Sequence, residues 1–492
     1  MKRKFIAIIF TGALFFASCK KITEDLNTDP NRPVDAPLEL LLNGAQVSSI
    51  LVYEGNLARV AGIFSGSFTG GDRQYLTFNQ YISTAPDYDD TWDNLYTGVI
   101  SQAKLIEAKA TVLNNKRVIG IAKVMQAQAF GLAADLWGDV PFSEVATEGI
   151  TNPKFDTQAD VYTGVQKLLD DAITNLNPTG TAVGVSPGSK DVFYGGDNKK
   201  WAAAAYTLKA RFYLHTKQYD LAIAAANNVN ALNDASKDMI APHGNSYLSD
   251  FNVFYSFTVY DRPGYLVADG SYASKLLDPT SSSYIGNVKT KEGARFNYIY
   301  QSDINVGGLE LNALSNDFDG SGPDDTGFFG SDAGFPLVTY RENQLILAEA
   351  YMKKASPDAN LALAALNTVR NYYNTTGYVT AGYFSFGKSY LPYLLTDFAP
   401  GGIKNPALTG TTVNQALLKG IVQERYVSLI GQIEQFNDLR RTKNLLGMPP
   451  LTGTALPQRF LYPQSELNTN SNTPKLVTGD LFKPLTSNAS AY

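Results

Sequence analysis

The stretch WAAAAYTLKARFYLHTKQYDLAIAAANNV, Trp201–Val229, carries the information that decides the fold. Small residues fill its first half, and aromatics cluster where the pattern turns. An alanine-rich second half follows Tyr219. Ala202–Ala205 and Ala222–Ala226 would let two antiparallel helices approach closely, with Tyr206 and Tyr219 between them. One helix is expected to end near Thr216 and the next to start near Tyr219.

Working outward, the same design recurs at Tyr340–Tyr373, YRENQLILAEAYMKKASPDANLALAALNTVRNYY. Pro357-Asp358 breaks the pair, and Asp358 offers a cap to the second helix. Both segments resemble tetratricopeptide units. They lie far apart, so a regular solenoid is not expected. Asp90–Asn114, Lys116–Trp137 and Asp160–Leu176 read as further helices, the last closed by Asn177-Pro178. A final helix is expected over about Asn414 to Ile430, with Val413, Leu417 and Ile421 on one face. Glu424 and Arg425 fall near that face and need partners; Asp438, Arg440 and Arg441 are candidates. The fold class is therefore all-α dominated: helix pairs as a scaffold, with long irregular loops and few short strands.

The N-terminus reads differently. Lys2, Arg3 and Lys4 precede an apolar run from Phe5 to Phe16, then Ala17, Ser18 and Cys19. A dozen apolar residues fall short of the roughly 20 that span a bilayer and match a signal-peptide core. Cys19 is the only cysteine of the 492 residues, so no disulfide can form within the chain. Its setting resembles a lipobox. Residues 1–18 are expected to be removed, Cys19 to be acylated, and residues 19–37 to serve as a polar tether. Glu24 and Asp25 resemble the acidic surface-export signal of some lipoproteins. Residues 38–492 are expected to form a single helical domain.

Composition sets limits. Loss of residues 1–18 leaves 38 basic against 46 acidic residues, a net of −8. Nucleic acid is an improbable partner without a basic patch. Only two histidines occur, His215 and His243, which argues against a histidine zinc site; His215 is expected to pack inside a helix. No Gly-x-Ser-x-Gly elbow or Walker loop is present, and an enzyme is not expected. Glu342 and Glu349 are expected to be solvated or paired with arginine.

Four segments in order resemble the SusD/RagB family of nutrient-binding lipoproteins, in its SusD-like branch: DLNTDPNRP at Asp25–Pro33, LWGDVPFSEV at Leu136–Val145, YRENQLILAEAY at Tyr340–Tyr351 and IVQERYVSLIGQIEQFNDLRR at Ile421–Arg441. The tail at Arg459–Asn472 adds a fifth. The family's acidic–aromatic–glycine pattern is replaced here by Ser428–Glu434. The resemblance implies an all-helical fold with tetratricopeptide-like units. It also implies surface binding of oligosaccharide or peptide nutrients and a TonB-dependent transporter of the SusC type as partner. A hydrolase accessory and a non-binding scaffold are the alternatives.

Ligand residues are expected mainly in Thr69–Tyr96, which combines a Gly-Gly turn, carboxylates and spaced aromatics. Asp72, Tyr75, Tyr81 and Trp92 are the candidates; the plainer reading of Trp92 and Tyr96 is core packing. Tyr75→Ala and Tyr81→Ala are expected to weaken ligand uptake with melting nearly unchanged. A second loop, Phe251–Tyr265, offers Tyr255, Tyr260 and Arg262 for the same surface; its alternation also fits a half-buried strand. Trp137 is expected to pack at a structural corner. Asn316–Phe329 resembles part of a calcium loop, with Asp317, Asp319, Ser321 and Asp325 as oxygen ligands. Phe328 stands where a bidentate Glu belongs, and an acidic Asx-rich turn is the plainer reading. These motifs require no cofactor; calcium is the one metal they suggest.

Overall fold

The protein is described by a computed structural model covering residues 36–246, 249–302, 308–315, 326–375, 379–408 and 410–492. Residues 1–18, Cys19, most of the 19–37 tether and the calcium candidates Asp317, Asp319, Ser321 and Asp325 lie outside the described residues.

The longer helices are α1 (Leu38–Glu54), α2 (Asn56–Phe64), α3 (Arg73–Asn79), α4 (Ser101–Val112), α5 (Lys116–Trp137), α6 (Gln158–Leu176), α7 (Asn198–His215), α8 (Tyr219–Ala226), α9 (Gly293–Ile299), α10 (Tyr340–Lys353), α11 (Ala359–Thr375), α12 (Val413–Ser428) and α13 (Ile433–Arg441). Their starts follow side-chain capping chemistry. Asn115 accepts from the Val118 amide, Asp197 from the Lys199 and Lys200 amides, and Thr339 from the Glu342 amide. Asp358 accepts from the Leu361 amide at 3.0 Å, as the Pro-Asp break suggested. Thr412 and Gln415 form a reciprocal capping box on α12. Among the described residues the strands are short and pair only two by two, all antiparallel. No described helix is long and apolar enough to cross a membrane.

The helices stack in sequence: α4 on α5, α5 on α6, α6 on α7, α7 on α8. The next layer skips more than a hundred residues. α8 packs directly on α10, and α10 on both α11 and α12. Thus the two helix pairs that are distant in sequence are neighbours in space. Asn343 on α10 joins them by donating to the carbonyls of Ala226 and Leu232. Small residues permit the close approach: a Cβ on Gly131 of α5 would stand 2.1 Å from the Phe212 ring of α7. One apolar core runs through α1–α7 and the loops; a second fills the space among α8, α10, α11 and α12.

Buried charges tie the stack together. Arg211 of α7 donates to both carboxylate oxygens of Glu342 at 2.6 Å. Arg441 of α13 donates to both oxygens of Glu349 and to Asp438, which Arg425 also grips at 2.9 Å. Asp438 thus serves Arg425 as expected, while Arg441 shares that carboxylate instead of pairing with either Glu424 or Arg425. Glu424 does not turn to that set. It pairs with Arg295 of α9 at 3.1 Å, while Arg425 turns to Glu349 and Asp438, so the two adjacent charges of α12 serve different neighbours. Arg440 bonds Asn437 and the Gln458 and Phe436 carbonyls instead. Glu342 and Glu349, candidates for solvation or arginine pairing, are both buried and paired.

Candidate functional site

The groove begins with two glycines. A Cβ on Gly70 would stand 1.7 Å from the Tyr75 carbonyl oxygen, and one on Gly71 2.4 Å from the Gly264 oxygen. Without side chains there, Thr69–Gly70 pairs with Leu266–Val267, and the Gly71 amide donates to the Tyr265 carbonyl. Two segments almost two hundred residues apart are thereby held edge to edge. Phe251–Tyr265 is not a half-buried strand. Its middle is a helical turn, Val253–Tyr255, continuing as a π-turn over Ser256–Asp261. Asn252 starts the turn by accepting from the Phe254 and Tyr255 amides, which takes precedence over the local alternation.

Between these segments lies an open cavity of about 520 Å³. Asn56 and Arg59 of α2, Gln74 and Tyr75 of α3, Asp87 and Asp90 beyond it, and Phe257, Asp261 and Arg262 supply most of its wall. At its base Arg59 donates to the Tyr75 hydroxyl at 2.7 Å, which donates in turn to Asn56 at 2.9 Å. The Arg59 guanidinium lies over the Phe257 ring, 4.0 Å from its centroid. Burial raises the Tyr75 hydroxyl above its ordinary pKa, with Arg59 opposing; it stays a neutral donor. Asp87 is occupied, accepting from the Thr84 amide and hydroxyl. Asp90, Asp261 and Arg262 are exposed; one N–H of Arg262 donates to the Asp261 carbonyl at 2.8 Å, leaving the others open to solvent. A chain of fixed polar groups at the base and freer charges at the rim suits a ligand rich in hydroxyls or amides.

Of the residues proposed from sequence, Tyr75 and Arg262 meet in this cavity. Asp72 lies beside it as the N-cap of α3, accepting from the Arg73 amide at 2.8 Å. Tyr260 is 40 % exposed but stacks on Phe251 outside the cavity wall, 5.7 Å between centroids. Tyr255 is packed edge-on against the same Phe251. Tyr81 and Trp92 point inward, 5 % and 4 % exposed. Tyr81 packs edge-on against Phe64 and accepts from the Leu451 amide. Trp92 stacks on Tyr96 at 4.5 Å and meets Trp137 edge-on. Trp137 itself is wholly buried, its indole N–H donating to the Leu461 carbonyl. Tyr75 too is only 1 % exposed, so its ring offers no open face for stacking. Truncating Tyr75 or Tyr81 to Ala therefore opens a core cavity, and the expectation of unchanged melting does not survive. Arg59, Asn56, Phe257 and Asp261 were not singled out from sequence. The available signal was Asn56 and Arg59 on the same side of NLARVAGIF, three residues apart in a helix otherwise apolar.

Asp135, His215 and Glu434 form a buried cluster whose ligand atoms lie within 4.8 Å of one another. It is filled by protein rather than shaped for a metal. His215 sits 2.8 Å from Asp135 and 3.3 Å from Glu434. Those two carboxylates outweigh desolvation and raise its pKa to about 9, so both ring nitrogens carry protons that face the carboxylates. Tyr162 donates to Asp135 at 2.5 Å, and Arg211 stands 3.3 Å from Glu434.

A family model described as SusD-like, starch-binding and associating with the outer membrane, matches residues 30–463. Solved structures share the fold. A SusD/RagB family protein from Bacteroides thetaiotaomicron matches with a TM-score of 0.64 at 20 % identity, over 93 % of this chain and 100 % of that one. A SusD homologue from Parabacteroides distasonis matches at 0.68 and 16 %, over 93 % and 99 %. A chitin-binding SusD homologue from Flavobacterium johnsoniae matches at 0.63 and 16 %, over 88 % and 94 %. At these identities the likeness is one of fold. A search of curated proteins finds no match.

Proposed function

The chain belongs to the SusD-like family, and from that premise we propose that it captures glycans at the outer-membrane surface and hands them to a transporter of the SusC type. Acylation of Cys19 would hold it there. The observation that carries the reading is the cavity of about 520 Å³ between Gly70–Thr91 and Phe257–Arg262. Its base is prefixed by the Arg59–Tyr75–Asn56 chain, so little ordering entropy is left to pay on binding. Its rim offers carboxylate and guanidinium groups to hydroxyls, and charge-assisted hydrogen bonds of that kind are the stronger ones. The ligand named for the family is starch, and the Flavobacterium johnsoniae neighbour is a chitin-binding protein. Both classes belong in the test, with peptides as the competing class.

Calorimetry with malto-oligosaccharides, chito-oligosaccharides and a peptide panel tests the proposal. Saturable glycan binding without product formation supports it. Glycan cleavage would move the chain to the hydrolase reading; peptide binding alone would move it to peptide capture; no binding at all would leave the scaffold reading. Co-purification of a barrel from outer membranes checks the transporter partner, and mass spectrometry of the mature N-terminus checks the lipid.

A further inference from the structure

A second cleft, sharing no lining residue with the groove, lies between the turn Ser283–Asn287, the loop Ile403–Pro406 and one side of α12. Its volume is about 300 Å³, at the lower end of ordinary small-ligand pockets, roughly 300–1,000 Å³. Its lining includes Lys404, Lys419 and Gln423 and no carboxylate among the described residues. In a chain of net charge −5 that wall is unusual.

Lys404 marks the inner end. Gly420 lies beside it: a Cβ there would stand 3.8 Å from the Lys404 Cε, ordinary contact, and 2.9 Å from the Phe398 ring, which the missing side chain admits. The ammonium donates to the Gln423 side chain at 2.7 Å, which uses one of its three N–H groups. Behind it a chamber of about 10 Å³, room for one water, is lined by Glu292, Thr290, Arg370, Tyr393 and Glu424.

The charges facing Lys404 come from every side. Glu424 and Glu292 are held by Arg295 at 3.1 Å and 3.0 Å. Arg370 donates only to neutral oxygens, those of Lys289, Leu391 and Thr290. Lys289 pairs with Asp397 at 2.6 Å. Two carboxylates thus stand against Arg295, Arg370, Lys404 and Lys419, leaving the cleft and chamber positive. Glu292 also keeps one oxygen, Oε1, fully buried without a hydrogen-bond partner.

We propose that this cleft binds a small sugar acid, a carboxylate-bearing ring with hydroxyls, at a site separate from the glycan groove. The carboxylate would lie against Lys404 and Lys419. Gln423 would donate its amide to the same ligand. A ligand hydroxyl, directly or through the one water the chamber admits, would satisfy Glu292. Desolvation, helped by Arg370 and Lys419, outweighs Glu424 and Glu292 and lowers the Lys404 ammonium to about 8, so it loses its charge in mild alkali. Binding a carboxylate restores that charge, and affinity must then fall as pH rises through this value.

The experiment titrates the full chain with galacturonate and glucuronate at constant ionic strength, with glucose and acetate as controls. Galacturonate or glucuronate should bind at about pH 7 and bind about ten-fold more weakly at about pH 9, the change in protonated fraction of a group titrating near 8. Acetate should bind more weakly than either, and glucose not measurably. K404M should abolish the interaction, and K419E, an exposed position that leaves the core untouched, should weaken it at least five-fold. Affinity independent of pH, equal binding by K419E, or no binding of either acid by the parent chain would overturn the proposal. Because the glycan groove shares none of these residues, malto- or chito-oligosaccharide binding should be unchanged in K419E. The failure of one site is therefore distinguishable from failure of the other.

Discussion

The interior network and the glycan groove use the same side chains to opposite ends. Between α7, α10, α12 and α13, arginines and carboxylates are removed from water and meet in bidentate pairs: Arg211 with Glu342, Arg441 with Glu349. In the groove Asp90, Asp261 and Arg262 stay exposed. A buried pair is rigid because each charge left alone costs several kcal/mol. Exposed charges gain little from one another, about 0–1 kcal/mol even where they pair, and so are available to a ligand. The difference lies in what surrounds the charges, and the way to break it is to remove one charge from each region.

The largest effect belongs to Arg441→Ala. It strips Glu349 and Asp438 of a shared partner in the core and should cost about 3–5 kcal/mol of stability in chemical denaturation. A loss below about 1 kcal/mol would mean that the network relaxes around the gap.

Next comes the pH dependence of the same region. The folded pKa of His215 is raised to about 9 from 6.5. Its contribution is present in full below about pH 6.5 and is lost as pH rises through about 9, a change of about 3 kcal/mol for a shift of that size. Glu349 is held down at about 2 by Arg441 and Arg425; its contribution is present above 4.5 and is lost only as pH falls through about 2. Denaturation midpoints should therefore decline between about pH 7 and 10, and His215→Asn should flatten that decline while lowering stability overall. An unchanged alkaline limb in the variant would assign the decline to other groups.

Tyr75 stands between the two regions, buried like the network yet bonded to groove residues. Tyr75→Ala removes a packed ring and should cost about 3–5 kcal/mol of stability, as for Phe truncations. Tyr75→Phe keeps the ring and removes only the hydroxyl joining Arg59 and Asn56. It should cost about 1 kcal/mol of stability and weaken glycan affinity about five-fold. Equal affinity for Tyr75→Phe would take the hydroxyl out of recognition and leave Tyr75 a core residue.

The smallest effect on folding is expected at the rim. Asp261→Ala and Arg262→Ala should shift stability by no more than about 0.5 kcal/mol, while each lowers glycan affinity several-fold. Loss of stability without loss of affinity would invert the comparison between the regions.

How legible was this from sequence? The helix pairs at Trp201–Val229 and Tyr340–Tyr373 were, because close antiparallel packing leaves alanines at fixed spacing and a cap at Asp358. So was the demand that Glu424 and Arg425 find partners, although only Arg425 met the one expected. Neighbouring residues on a helix point some 100° apart, and which helix faces each is a tertiary fact. Phe251–Tyr265 misled for a related reason. Its alternation at Phe251, Val253 and Tyr255 is real, but the Asn252 side chain caps a helical turn there. Aromatic residues in Thr69–Tyr96 looked like stacking platforms; Tyr81 and Trp92 satisfy their apolar area in the core, a choice invisible to local composition.

By itself the sequence determined a helical chain, because period and capping are local and each helix carries its own signals. It also determined the family, because ordered motifs from Asp25 to Asn472 survive wherever the loops go. Only the tertiary structure decided where a ligand is met. The groove exists because Gly70 and Gly71 let two remote segments pair, and a pocket made by two segments has no signature in either one. Burial then separated tyrosines that hold the scaffold from polar groups left facing water, since desolvation depends on everything around a side chain rather than on its neighbours in the chain.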